Sequence, residues 1–250
     1  MVTPDASDWQ LAIAAAFLDE TPTVRSIEFD VVHWTGHLAG QHVDIRLTAA
    51  DGYQAQRSYS IASPGGHGTR IEITVERIAE GEVSPFLTQE MAVGDAIELR
   101  GPIGGYFTWQ PEDSAPLMLI AGGSGVVPLV SMLRTRRIAG SRVPTRLLYS
   151  ARTAQDIIYR NELDRLVALT DDFSLVHTLT RGAPAGWQGH ARRVDREMLA
   201  RHVFSTVQKP QIYICGPTSF VEAVADDLIA LGYDEKTIKT ERFGPTGETG

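Results

Sequence analysis

Four consecutive residues, Arg57-Ser58-Tyr59-Ser60, bring together a guanidinium, an aromatic ring and two hydroxyls. A guanidinium is a rigid fork of donors that matches an anionic phosphate. A tyrosine ring is a flat, amphipathic plate for a planar ligand, and serine hydroxyls can donate or accept beside it. The alternation predicts a strand, where residues two apart share a side. Arg57 and Tyr59 then lie on one face, Ser58 and Ser60 on the other. The set suits a ligand that carries both a phosphate and a flat ring system; the alternative is an ordinary exposed strand.

Three further stretches could do related chemistry. Ala121-Gly-Gly-Ser-Gly-Val-Val-Pro128 places glycines between an apolar run and a helical stretch. That arrangement lets a phosphate reach backbone N–H groups at a helix N-terminus. It is not the six-position dinucleotide fingerprint, so an ordinary dehydrogenase fold fits poorly. Cys215-Gly-Pro217 ends another apolar run, at the edge where open α/β sheets hold ligands. Gly81-Glu-Val-Ser84 offers a hydroxyl and a helix start for a second phosphate, or a simple helix cap.

The elements that must carry these stretches divide the chain at about residue 110. Before it, short strands are expected over 9–17, 23–32, 41–48, around Arg57, over 71–76 and within 93–100. Asp51-Gly52 marks a hairpin turn. The one helical interruption runs from Ser84, as N-cap, to Met91, with Pro85 at the first helical position. Close-spaced strands of this kind predict a small β-barrel or sandwich. After the linker Pro111-Glu-Asp-Ser-Ala-Pro116, buried strands at 117–121, 146–150, 173–179 and 211–215 alternate with helices near 126–138, 159–169, 194–199 and 219–231. A short last strand covers 237–240. This alternation predicts a parallel sheet with crossover helices. The fold class is therefore a β-barrel domain over 1–110 followed by an α/β parallel-sheet domain over 111–250.

Composition narrows the function classes. The net charge is −8, and residues 1–110 hold 6 Lys and Arg against 15 Asp and Glu. That excess argues against nucleic-acid binding. The early apolar run Leu11–Leu18 is too short to span a bilayer, so no membrane insertion and a cytoplasmic location are expected. A single cysteine among 250 residues rules out an internal disulfide, a four-cysteine cluster and a cysteine-rich zinc site. No metal site is expected.

Taken in order, the stretches resemble the ferredoxin–NADP reductase superfamily of flavin reductases. Arg57-Ser-Tyr-Ser60 looks like its Arg-x-Tyr-Ser flavin motif, and Gly81-Glu-Val-Ser84 like its second flavin-phosphate motif. Gly101-Pro-Ile-Gly-Gly-Tyr-Phe107 looks like the segment closing the barrel. Ala121–Pro128 looks like the pyridine-nucleotide motif, and Cys215-Gly-Pro217 like the nicotinamide-side motif.

The resemblance implies roles. Domain 1–110 binds the flavin and domain 111–250 the NAD(P). Tyr59 contacts the flavin ring or ribityl chain, Ser60 donates to flavin N5, and Arg57 meets the diphosphate with Ser84, Gly81, Val83 and Ser58 nearby. Thr74, Val75 and Arg77 line the flavin tail. Gly122, Gly123, Ser124 and Gly125 cradle the nucleotide diphosphate. Cys215, with Gly216 and Pro217, lies near the hydride-donating carbon. Glu241 and Phe243 stand near the flavin, where plant-type relatives end in a tyrosine. Ser60, Cys215 and Glu241 are the expected catalytic residues. FAD is expected over FMN, because 81–84 suits a diphosphate. Ser150 and Arg152 follow one strand and Arg181 another, with no carboxylate for a free 2′-hydroxyl, so NADP is expected over NAD.

The implied activity is NADPH-dependent, flavin-mediated electron transfer. The partner is a separate carrier, a ferredoxin or an oxygenase or metalloenzyme component, because the chain lacks the cysteines of a fused iron–sulfur domain. The alternatives are a flavoprotein redox sensor and a reductase of small acceptors such as free flavin or ferric chelates.

Overall fold

A computed structural model describes residues 7–243 of the chain. They form two compact units. The first joins residues up to Gln110 with Val130–Ala139; the second joins Pro111–Leu129 with the residues from Gly140 onward. The sequence division at 110 did not anticipate the short helical piece that groups with the first unit.

The first unit is antiparallel. Its strands are β1 (Gln10–Thr21), β2 (Val24–Asp30), β3 (His42–Thr48), β4 (Gln54–Ser60), β5 (Arg70–Glu76) and β6 (Ala96–Ile103). They pair in the order β4-β3-β6-β1-β2-β5. Beyond the end of β4, Ile61 bridges to Ile73 of β5, so the two edge strands meet and the sheet closes on itself as a barrel. Alternation supplies the interior: Ile27, Phe29, Val43, Ile45, Ile73 and Leu99 are fully buried. Each such side chain contributes about 1.5–3 kcal/mol relative to leaving it exposed.

The strand expected over 9–17 continues to Thr21, and Pro22-Thr23 turns it directly into β2. The helix expected to start at Ser84 is instead a single turn, α1 (Val83–Pro85), running into a π-helical turn over Phe86–Glu90. In the helical piece that groups with this unit, Ser131 Oγ donates to the Ser63 carbonyl at 2.6 Å, and Thr135 Oγ1 accepts from the Gly65 amide at 2.8 Å. Arg134 pairs with Glu72 at 2.9 Å. These partners come from loop 61–68 and β5.

The second unit is a parallel sheet of β7 (Leu117–Gly122), β8 (Thr145–Ala151), β9 (Phe173–Leu179), β10 (Gln211–Pro217) and β11 (Ile238–Phe243). Its order is β11-β10-β7-β8-β9. Every residue of β7 is buried, as a strand covered on both faces requires. The helices are α2 (Val126–Ile138), α3 (Arg160–Leu169), α4 (Arg196–His202) and α5 (Thr218–Ala230). Met118, Ile120, Ile212 and Ile214 pack against Met198 and Leu199 of α4 and Val221, Val224 and Leu228 of α5. The last strand runs to Phe243, three residues past the end expected from the sequence, and this draws Glu241 and Phe243 into the sheet.

From β7 the chain steps outward through β8 and β9, then returns to the other side of β7 for β10 and β11. The strand order therefore reverses between β7 and β10. In open α/β sheets the ligand crevice lies outside the C-terminal strand ends at such a reversal.

Candidate functional site

At that reversal two glycine-bearing strand ends interlock. Cys215 is in register with Ala121. A Cβ added at Gly125 would lie 2.1 Å from the Cys215 carbonyl oxygen, and one at Gly122 would lie 2.9 Å from the Phe220 ring. Gly216 approaches just as closely, with an added Cβ 3.0 Å from the Gly122 carbonyl oxygen. Gly123 is a different case: φ is +57° and an added Cβ would meet nothing within 4 Å. The backbone there is exposed to open space in a conformation glycine adopts freely. Residues Gly123–Gly125 form a 3₁₀ turn that leads into α2. Neither α2 nor α5 carries an acidic residue in its first turn, so the positive ends of both helices are left for an incoming anion.

Cys215 is fully buried and directly opposite Glu241 on β11. Its thiol reaches the Glu241 carboxylate at 3.9 Å. Burial pushes the thiol well above its ordinary range, and the Glu241 charge adds to the effect. Cys215 is therefore a neutral thiol rather than a thiolate nucleophile. Burial also raises the Glu241 carboxyl to about 7, opposed by the Cys215 contact. Pro217 and Phe243 are opposite each other at the ends of the same two strands.

At the other flank, Ser150 of β8 lies beside Gly122, and Thr178 of β9 beside Ser150. Just past these ends the Arg181 amide donates to the Arg152 carbonyl at 2.8 Å, so the two arginines are neighbours. Both are exposed, and neither forms an ion pair with a described residue. The nearest carboxylate in sequence, Asp156, accepts from the Thr153 amide at 2.9 Å and the Thr153 hydroxyl at 2.7 Å. It is held in a capping box and leaves the arginines unopposed.

In the first unit Arg57 and Tyr59 share the face of β4 that carries the buried Ala55. Arg57 is exposed, donates to the neighbouring Gln56 carbonyl at 2.6 Å, and has no carboxylate partner among the described residues. Burial pushes the Tyr59 phenol up, with the Arg57 charge acting the other way. The Ser60 hydroxyl forms no hydrogen bond with the described residues.

Tyr53, one residue before β4, donates to Glu82 at 3.0 Å, which ties the 81–84 segment to the start of the Arg57 strand. Thr74 and Val75 reach the same region through β5, and the Arg77 amide donates to the Thr23 carbonyl at 2.8 Å.

Several of the residues expected in this unit offer backbone rather than side chain. Ser58 lies on the opposite face and donates to Asp44 at 2.6 Å, beside the Arg100–Asp44 ion pair. The Thr74 hydroxyl is buried 2.8 Å from that of Ser26. Val75 and Val83 are core residues. The capping role expected of Ser84 is a correction: Glu82 is the N-cap, and Ser84 Oγ accepts from the Ile78 amide at 3.0 Å, closing the loop from inside. Three contributors were missed. Tyr53 and Glu82 pair across 29 residues, which no local pattern signals. Phe220 walls both glycine turns; its one cue was an aromatic in the first turn after Cys215-Gly-Pro217.

The two units match two family models. An oxidoreductase FAD-binding domain covers residues 20–108, and an oxidoreductase NAD-binding domain covers residues 119–226. Ferredoxin–NADP reductase B of Sorangium cellulosum is 34% identical over 233 residues, 89% of this chain and 93% of that protein. The chain belongs to the ferredoxin–NADP reductase superfamily of flavoproteins.

The glycine betaine monooxygenase reductase subunit of Chromohalobacter salexigens is 33% identical over 210 residues. The match covers 83% of this chain but only 56% of that protein, so the chain spans about half the length of this relative. A crystal structure of a ferredoxin NADP+ reductase from Neisseria gonorrhoeae, with bound FAD and NADP, shares the fold. Its TM-score is 0.80 at 21% identity, over 94% of this chain and 99% of that one. Among the described residues no helix is long and apolar enough to cross a membrane, and no group of three or more His, Cys, Asp or Glu is placed to hold a metal.

Proposed function

We propose that this chain is an FAD-dependent reductase that takes reducing equivalents from NADPH and passes them to a separate redox protein, a ferredoxin or an oxygenase or metalloenzyme component. The observation that carries the nucleotide choice is the adjacent Arg152–Arg181 pair, unopposed by carboxylates, beside an open glycine turn at the sheet's reversal. Two guanidiniums there suit a 2′-phosphate, whereas a free 2′-hydroxyl calls for an acceptor.

The residues fit the two groups. Arg57 would hold flavin phosphate with amides of the 81–84 segment, Arg77 would flank it, and Tyr59 would offer the ring platform. The open backbone at Gly123, in the turn Gly122 to Gly125, would leave room for the nucleotide diphosphate against the start of α2. When bound, the flavin supplies the chemistry that accepts a hydride and releases electrons singly.

The chain's own residues set the conditions. Ser60 presents an uncommitted hydroxyl at the end of β4. Cys215 stays neutral, so no thiolate competes as a nucleophile. Glu241, with its pKa raised to about 7, is a carboxyl able to gain or give up a proton near neutral pH. A cytoplasmic setting and a partner outside this chain complete the reading.

Anaerobic stopped-flow mixing of the purified, flavin-loaded protein with NADPH and with NADH tests it. Rapid bleaching of the flavin absorbance is expected, with the higher kcat/KM for NADPH. A colourless protein that takes up no flavin would overturn the reading, and a preference for NADH would overturn the nucleotide assignment.

A further inference from the structure

The second unit has a cavity of about 280 Å³ away from the glycine turns. Met118, Arg146 and Leu148 line it from the starting halves of β7 and β8, Val176 from β9, and Arg201 and His202 from α4. Arg146 stands four residues before Ser150 on one strand, so the cavity lies about 13 Å from the edge that carries the glycines and Arg152. It is a separate place on the same sheet.

Its walls are of two kinds. Met118 and Leu148 are buried core residues that turn apolar atoms toward the space. Arg146 is half-buried, its guanidinium 4.3 Å above the Phe204 ring. Its Nη1 donates to the carbonyls of His202 at 3.1 Å and Val203 at 3.3 Å. Those carbonyls are neutral acceptors, and Arg146 has no carboxylate partner among the described residues. Arg201 gives Nη2 to Glu197 at 2.6 Å, and its other nitrogens have no described partner. No Asp or Glu lines the cavity. A half-buried cation without a counter-charge is costly, and burying a charge favours pairing it.

His202 meets His190 with Nε2 atoms 2.8 Å apart and ring centroids 5.0 Å apart. One Nε2–H donates to the other ring's Nε2 lone pair, so the two nitrogens satisfy each other rather than converge on a third point as metal ligands would. His202 therefore closes one wall with its ring nitrogen satisfied, and the arginines supply the free donors.

We infer that this cavity binds a small organic acid: a carboxylate held by Arg146 and Arg201, with a short apolar tail against Met118, Leu148 and Val176. Mostly apolar walls with a few convergent polar groups are the usual composition of small-molecule sites, and the volume is at the lower end of their range. This binding is independent of the nucleotide and flavin reading.

Calorimetry on the full-length protein, with NADP+ in excess, tests it with hexanoate and acetate as probes. Hexanoate is expected to bind saturably and more tightly than acetate. Arg146→Gln and Arg201→Gln should each weaken it at least about five-fold, in line with the loss of a charge-assisted hydrogen bond. Arg192→Gln should leave it unchanged, because Arg192 does not line the cavity and pairs with Asp195 and Glu197. Hexanoate that fails to saturate, that binds no better than acetate, or that binds Arg201→Gln at wild-type strength would overturn the proposal. If Arg146→Gln fails to fold, the exposed Arg201 variant decides alone.

Discussion

The two halves of this chain prepare for their ligands by opposite means. The β-unit presents side chains on a strand: Arg57 and Ser60 of β4 are little used by the fold, and Tyr59 rests half-buried against the core beside them. The α/β-unit presents the lack of side chains: Gly122, Gly125 and Gly216 permit two strand ends to touch, while Gly123 between them leaves open space. Binding and folding are thus separable in the first region and fused in the second. Mutations there should report different things.

The largest expected effect is at the fused region. Gly125→Ala would set a Cβ 2.1 Å from the Cys215 carbonyl, and backbone cannot yield as a side-chain tip can. Stability should fall by about 2–4 kcal/mol, and NADP+ binding should be lost with it. Thermal unfolding and nucleotide titration would both have to change; a normal Tm would break the contrast. Next comes the separable region. Arg57→Ala should shed flavin during purification, a weakening of about tenfold or more, while the unfolding free energy of the flavin-free protein stays within about 0.5 kcal/mol of wild type. Full flavin retention would remove Arg57 from the phosphate role.

Arg152→Ala combined with Arg181→Ala sharpens the comparison within the second unit, because these side chains have no partner to lose among the described residues. The ratio of kcat/KM for NADPH over NADH should drop about tenfold or more, with stability unchanged. An unaltered ratio would sink the 2′-phosphate assignment. A smaller effect is expected at Glu241. Its carboxyl stays protonated to about pH 7 in the folded chain, against an ordinary value of 4.5. Between those values the folded state binds more protons than the unfolded one, so this group's contribution to stability declines as pH rises through the window. Glu241→Gln should therefore gain on wild type in Tm between pH 5 and pH 8; a constant difference would contradict the raised pKa. Smallest of all is Gly123→Ala, which meets no atom but must hold φ at +57°, costing about 1 kcal/mol.

Much of this was legible in the chain itself, for physical reasons. Period-two alternation marked the barrel strands, and unbroken apolar runs such as Leu117–Ala121 marked strands buried on both faces. The spacing of Arg57, Gly81–Ser84, Gly122–Gly125 and Cys215 pointed to one family before any coordinates. What stayed hidden depended on distant partners. The length of β11 follows from pairing with β10, which overrides the weak strand character of Glu241-Arg242-Phe243. Ser84 looked like a cap because caps are read from neighbours, yet its hydroxyl is used by Ile78 across a loop. The grouping of Val130–Ala139 with the barrel rests on Ser131, Arg134 and Thr135 meeting residues more than 60 positions earlier. The adjacency of Arg152 and Arg181 came from strand order, which sequence spacing does not encode.

The seam where Gly125 rests on Cys215 has a further consequence for anyone redesigning this molecule. Two turns ninety residues apart behave as a single joint, since a bulkier residue on one side forces the other to retreat. Grafting a coenzyme loop from a cousin into this framework would succeed only as a matched transplant of both halves, and directed evolution of either turn alone should keep returning to the original small residues.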